Sequence, residues 1–426
     1  MQDLATIDTT GLRGKGVVVL ALLFALILAW FGTQWQIGHM FAVLTRPDAN
    51  GGYFLAQLAS SWVTTDPAAQ SLKAASVDSP AADEKLDALP IYEQAVRLGP
   101  NDYHWRIDLA VALEHEGNVA DAETQFRKAV ELAPNYSETH WNLGNFLLRQ
   151  GRENDAVAEL RFGAHGDSLY REQFFSLLWE RSGKDEDKLF AATGDDAELR
   201  KFLAFFFASR GRADAAVKGW AQLSDDERSA NPVMARAMAL GLFEHRQFSQ
   251  SLNLAHSYGE TAQVGAITNG SFEQALESEG DPNFGWRLGK PDPKIDVATD
   301  ARVAHDGTRA LRLTFRAFNK VTFLAPSQIV VVEPGRSYRL RAWARTENLR
   351  SGGDPMLTIQ KVADGSSLAQ SAQFAQGTND WQQVTVDFSV PTDTDGVLVG
   401  VSRSCGEDCP LSGILWLDDL TLEKIK

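Results

Sequence analysis

Cysteine is nearly absent: Cys405 and Cys409 are the two in 426 residues. That scarcity excludes a disulfide-dense scaffold and a four-cysteine zinc site. Basic residues are also short, 41 Lys and Arg against 56 Asp and Glu, which gives a formal net charge of −15. A nucleic-acid binder needs a basic surface to neutralise phosphates, so nucleic acid is not an expected partner. The eight histidines are scattered, with no HExxH and no closely spaced metal pair. There is no G-x-S-x-G elbow, phosphate-binding loop or dinucleotide fingerprint, and no carboxylate spacing singles out an acid–base pair. The chain therefore reads as a non-enzyme. Hydrophobic residues at 44% and charged residues at 23% are ordinary for a folded protein. The length allows two or three domains at roughly 100–200 residues each.

Charge and proline are both missing from Gly16 to Phe31, GVVVLALLFALILAWF. Continued through Trp35 to Ile37, the run reaches the ~20 residues that a helix needs to cross a hydrocarbon layer. Trp30, Phe31 and Trp35 fall at its far end, where aromatic rings favour the headgroup region. A cleavable signal peptide is the competing reading, but no small-x-small pair follows the run. Arg13 and Lys15 precede the span, and Arg46 is the first basic residue after it. That bias predicts a cytoplasmic segment 1–15, a transmembrane helix 16–37, and a bulk facing outward. In a bacterium this is a single-pass inner-membrane protein with a periplasmic body. Residues 38–85 read as a juxtamembrane segment and linker, because TTDPAAQSLKAASVDSPAAD (64–83) is rich in Ala, Ser, Asp and Pro.

A 34-residue shift superposes Pro100 on Pro134, Gly117 on Gly151 and Ala122 on Ala156. Leu109, Ala110, Leu113 and Phe126 recur in kind as Leu143, Gly144, Leu147 and Leu160, and Ala129 falls on the same pattern. Small residues let the two helices of a hairpin approach, and each glycine ends a first helix. This spacing resembles the tetratricopeptide repeat family, which implies an all-α solenoid over residues 86–258 with five or six helix pairs. The resemblance also implies a groove lined by first helices that takes a protein partner. Glu114, His115, Asn142, Asn145 and Arg149 face that groove by register. They read either as a peptide clamp or as a solvated helix face.

From about residue 264 the periodicity changes to alternation. ALRLTFRAF, SYRLRAWAR, QQVTVDFSV and VLVGVSR read as strands between Gly-rich and Asp-rich turns. About nine such strands imply an all-β sandwich over 264–426. Asn269–Glu273, Trp286, His305–Leu313 and Leu415–Leu422 resemble the opening strand, next aromatic, turn-and-strand and closing strand of galactose-binding-like jelly rolls, including carbohydrate-binding modules. In such relatives an acid of the first strand and acids of the closing strand surround a structural calcium ion. The resemblance thus implies Glu273, Asp306, Asp418 and Asp419 as oxygen ligands for Ca²⁺. The alternative is that Asp418 and Asp419 end a strand at the surface. No other cofactor is expected.

In Ser337–Arg345 the alternation sets Tyr338, Leu340, Ala342 and Ala344 on one face and Arg339, Arg341, Trp343 and Arg345 on the other. Arg312 and Arg316 lie opposite Leu311, Leu313 and Phe315. An Arg-and-Trp face can stack on sugar rings and hold acidic groups, or it can be a wet sheet face balanced by acidic neighbours. Cys405 and Cys409 in CGEDC read as a local disulfide staple, as expected outside the cytoplasm.

The architecture as a whole is a transmembrane helix, a helical-repeat solenoid and a jelly roll. It predicts an anchored extracytoplasmic scaffold that recruits protein through the repeats and glycan or protein through the sandwich. Such proteins resemble accessory components of exopolysaccharide or cell-envelope assembly. The alternative is a lectin-like accessory protein whose repeats serve only as a stalk.

Overall fold

The structure is a computed structural model and describes residues 11–46, 51–79, 87–276, 283–289, 292–318, 323–403 and 409–425. The chain divides into two compact units, Met1–Lys184 and Asp185–Lys426. The architecture is an apolar helix, helical repeats and a two-sheet β domain, as the sequence implies.

The first unit begins with α1 (Leu12–Leu44), followed by α2 (Gly52–Trp62) and α3 (Pro67–Asp78). At 33 residues and ~1.5 Å per residue, α1 exceeds what a bilayer core requires. Nothing between Ile37 and Leu44 breaks the helix, so it continues and packs its end on its neighbours. Gly38 permits that approach, because a Cβ there would lie 2.8 Å from Val63 Cγ2. His39 Nδ1 sits 2.7 Å from Asp66 Oδ2.

The spacer expected over 64–83 is corrected here: most of it is helix α3. Asp66 caps it by accepting from Ala68 N at 3.0 Å, and Pro67 occupies the first turn, where its missing N–H costs nothing. Its alanines are the strongest helix formers and are small enough to pack. Ala68, Ala69, Leu72, Ala74 and Val77 are buried. Composition alone reads as a linker or spacer and does not show the helix.

Next come α4 (Leu89–Leu98), α5 (Tyr103–His115), α6 (Val119–Leu132), α7 (Ser137–Arg149), α8 (Glu153–Gly166) and α9 (Ser168–Arg181). The periodic residues do what their spacing requires. Gly117 and Gly151 take φ of +80° and +75° to end α5 and α7. Ala110, Ala122 and Ala156 are fully buried between helices. Gly144 lies against Leu160, whose Cγ would be 2.6 Å from an added Cβ.

The second unit holds α10 (Glu186–Thr193), α11 (Ala197–Ala208), α12 (Ala213–Ala221), the short α13 (Asp225–Ser229), α14 (Pro232–Glu244) and α15 (Phe248–His256). Among the described residues nine strands follow: β1 (Ile295–Asp300), β2 (Ala310–Phe318), β3 (Phe323–Val331), β4 (Ser337–Ser351), β5 (Met356–Lys361), β6 (Ser367–Gln370), β7 (Gly377–Ser389), β8 (Gly396–Arg403) and β9 (Leu411–Ile425). They form antiparallel sheets in the orders β1-β2-β9-β4-β7 and β3-β8-β5-β6. Leu311, Leu313, Leu340, Val399 and Leu415 fill the space between the sheets. The last helical pair is fastened to the sandwich. Ser249 N donates to Asp395 Oδ2 at 2.7 Å, and the Phe248 ring lies on Gly396, leaving no room for a side chain.

Asn269–Glu273, expected as an opening strand, forms a turn instead. Asn269 and Phe272 adopt φ of +48° and +55°, outside the extended region a regular strand needs. The turn still drives Phe272 into the core, fully buried, with Trp286 5.3 Å from it.

Candidate functional site

The alternation in β4 holds: Tyr338, Leu340, Ala342 and Ala344 face the core, and Arg339, Arg341, Trp343 and Arg345 face outward. Antiparallel register then decides what each outward group meets. Toward the Ser337 end the charges neutralise one another. Arg339 makes a bidentate pair with Asp387 on β7 at 2.7 and 2.6 Å. Arg341 donates to Glu423 on β9 at 2.6 Å. Arg312 on β2, level with Arg345 at the other end of the face, is also paired, reaching Asp296 and Asp300 at 3.3 and 3.5 Å. Asp300 also accepts from Trp416 Nε1 at 3.3 Å. Arg316 is exposed further along β2.

Toward the other end of the face the composition becomes aromatic. Trp343 stacks on His305 with ring centres 4.0 Å apart and planes 15° from parallel. Trp381 on β7 meets the same imidazole edge-on at 5.6 Å. Arg345 lies over the buried Trp416, 5.7 Å from its ring. Trp343, Trp381, His305 and Arg345 are all partly exposed. Together they form an aromatic platform with a guanidinium at its side.

The loop that carries His305, between β1 and β2, is held by the acids that the resemblance had marked for calcium. Asp418 is fully buried, and its Oδ2 accepts from His305 N at 2.8 Å and from Asp306 N at 3.4 Å. Burial raises its pKa against the pull of those donors. Glu273 accepts from Thr308 N, Thr308 Oγ1 and Arg309 N at 2.7, 2.5 and 3.0 Å. The hydrogen bonds from Thr308 come first among the causes that lower its pKa. Asp419, at φ +51° in a bulge of β9, places Oδ2 2.6 Å from His305 Nδ1. Asp306 caps its own turn through Gly307 N at 2.8 Å.

These carboxylates face N–H donors and the Thr308 hydroxyl. Among the described residues, no three His, Cys, Asp or Glu side chains converge as a metal cage. The donor set fits a hydrogen-bonded clasp.

In the repeats, Arg149 on α7 makes a bidentate pair with Glu114 on α5, 2.7 Å at both contacts. Asn142 and Asn145 donate to the carbonyls of Glu138 and Trp141 in their own helix, at 2.9 and 2.8 Å. His115 is exposed at the end of α5. Register alone does not mark the neighbouring aromatic surface. There, Trp141 and Tyr170 stack at 4.8 Å, and Tyr103 donates to Glu138 at 3.3 Å. Burial, together with Glu138, pushes the Tyr103 pKa up to about 12.

Cys409 is buried and is not a free thiol. The expected partner, Cys405, lies outside the described residues. Sequence reasoning missed His305, Trp381 and Trp416. Trp381 immediately precedes the alternating run QQVTVDFSV, and His305 sits in a turn cluster. Only the long-range strand register brings either one to Trp343.

Residues 264–403 match the family described as carbohydrate binding domain, and residues 81–137 and 118–161 match the tetratricopeptide repeat. The chain thus carries helical protein-interaction repeats and a jelly roll of the carbohydrate-binding kind. A curated relative, the TPR repeat-containing thioredoxin TTL4 of Arabidopsis thaliana, is 31% identical over 74 residues. That match spans 17% of this chain and 11% of the relative's length. Among solved structures, the CBM22-1 xylan-binding domain of Paenibacillus barcinonensis Xyn10C is 16% identical. It covers 39% of this chain and 99% of its own, with a TM-score of 0.27. TmCBM61, solved with β-1,4-galactotriose, is 19% identical and covers 38% of this chain and 100% of its own, with a TM-score of 0.28.

Proposed function

We propose that this chain is a non-enzymatic, membrane-anchored scaffold that binds glycan on the outer face of its five-stranded sheet and a protein partner through its repeats. The observation that carries the glycan reading is the Trp343–His305 stack edged by Trp381. Flat aromatic surface at a half-exposed site suits the apolar face of a sugar ring. Arg345 beside it adds a donor fork for an acidic substituent. Arg339 and Arg341, candidates by alternation, already hold Asp387 and Glu423 and leave the platform to others.

α1 supports the anchor reading: its apolar stretch is entirely unburied and is the one helix among the described residues long and apolar enough to cross a membrane. With Arg13 and Lys15 on its leading side, the repeats and sandwich face outward, the compartment where a glycan-binding domain meets polysaccharide. Cell-envelope or exopolysaccharide assembly is the process such a scaffold serves. The internal Glu114–Arg149 pair favours a second reading, in which the repeats are chiefly a stalk for a polysaccharide-binding head.

Affinity electrophoresis of the solubilised chain through gels containing acidic envelope polysaccharide tests the glycan reading. Wild type is retarded, and the Trp343→Ala, Trp381→Ala double variant runs freely. Equal retardation of the two would remove the platform from the account. A reporter fused after Lys426 that proves active only in the cytosol would remove the outward placement.

A further inference from the structure

One edge of the five-stranded sheet is β7, and a cavity of about 260 Å³ runs along it. Its roof is the segment 371–376, which is built rather than loose. Phe374 is buried and its N–H donates to Pro355 O at 2.9 Å. Asn379 ties strand to roof by donating to Thr346 Oγ1 and Gln376 O at 2.9 and 2.8 Å. Small side chains, Ala344, Ala372 and Ala375, leave the space open.

The polar part of the lining is mostly carboxamide, set among Phe374, Val384 and the alanines. Gln373, Gln382 and Gln383 contribute exposed amides that make no hydrogen bond to any other described residue, and no ionisable side chain takes part. A carboxamide offers a donor and an acceptor side by side, the pattern that pairs with adjacent hydroxyl groups. As an edge strand, β7 adds outward backbone groups that no further strand of its sheet pairs with. The volume lies just below the roughly 300–1,000 Å³ of small-molecule sites, a size for one ring rather than a chain. The cavity also adjoins the platform: Gln382 follows Trp381, and Gln383 is the register partner of Trp343.

We propose that this amide-lined cavity is a second sugar subsite, taking an uncharged, hydroxyl-rich ring of the same glycan whose neighbouring ring stacks on Trp343 and His305. The proposal rests on the glycan reading above. It makes the site one that measures length, engaging an internal stretch of polysaccharide across the sheet face and over its edge.

The test uses the full chain in detergent and an array of neutral and acidic oligosaccharides of two to six residues. The series that binds wild type is then titrated calorimetrically against Gln382→Ala, Gln383→Ala and against Trp343→Ala. Both glutamines are exposed, and an unchanged melting temperature checks the fold. The expected result is a loss of about tenfold or more with the longer members and none with the disaccharide. A glutamine variant that binds every length like wild type, or that weakens every length equally, overturns the subsite. Failure of every array member to bind, or full binding by Trp343→Ala, instead overturns the platform reading on which it rests.

Discussion

On α5 and α7, and again on the five-stranded sheet, the chain sets arginines and other polar groups along an exposed face, but the two faces resolve differently. In the repeats the groups satisfy one another. Glu114 closes on Arg149, and the amides of Asn142 and Asn145 turn back to their own helix. On the sheet, half the face does the same through Arg339–Asp387 and Arg341–Glu423, and the other half is left with rings. Charge in water finds a counter-charge locally and at little net gain. A half-exposed indole has no such way to satisfy itself, so aromatic surface marks a binding face more reliably than arginine does.

The largest effect separating the two faces should come from the platform. Trp343→Ala should weaken polysaccharide binding by tenfold or more, about 1.4 kcal/mol, whereas Arg341→Ala should change it little. Titration calorimetry distinguishes these, and a larger loss from Arg341→Ala would reverse the comparison. Comparable in energy but different in kind is Gly144→Val in the repeats. Its side chain would meet Leu160, and such overpacking costs about 1–3 kcal/mol, read as a lowered denaturation midpoint with glycan binding intact.

The clasp should respond to pH. Hydrogen bonds hold the Glu273 pKa below its ordinary 4.5, so the Glu273 arm of the clasp is fully present above that value and is lost as pH falls through the lowered one. Glycan binding should therefore decline on acidification below about 4.5, and Glu273→Gln should be weak across the whole range. Binding that ignores both changes would detach the His305 loop from the site.

Smaller still, Glu114→Ala in the repeats should cost under about 1 kcal/mol, as exposed pairs do, while freeing Arg149 for a partner's carboxylate. A larger loss in a chemical melt would show that the pair is structural. Least of all, calcium or a chelator should move the melting temperature by less than about 1 °C if the carboxylates act through N–H donors alone, and a rise of several degrees with calcium would show a bound ion.

Much of this was legible in the sequence. The 34-residue shift located the hairpins, because Gly117, Gly151, Ala122 and Ala156 are required by local geometry. Alternation in β4 assigned every residue from Tyr338 to Arg345 to its correct face. What stayed hidden was long-range. Nothing near Trp343 in sequence announces His305 or Trp381, which arrive through strand register and a bulge at Asp419. Nor does it show that Asp387 and Glu423 would occupy two of the candidate arginines. Segment 64–83 misled for another reason: Ala, Ser and Pro compose flexible linkers and capped, close-packed helices alike, and only the cap at Asp66 distinguishes them.

A crystal structure of the sandwich-bearing chain with a bound oligosaccharide tests the central claim most directly. The account predicts one sugar ring lying flat on Trp343, about 4 Å from the indole plane, at van der Waals separation. A sugar held on the four-stranded sheet, or on the Arg339–Arg341 half of the face with Trp343 untouched, would contradict it.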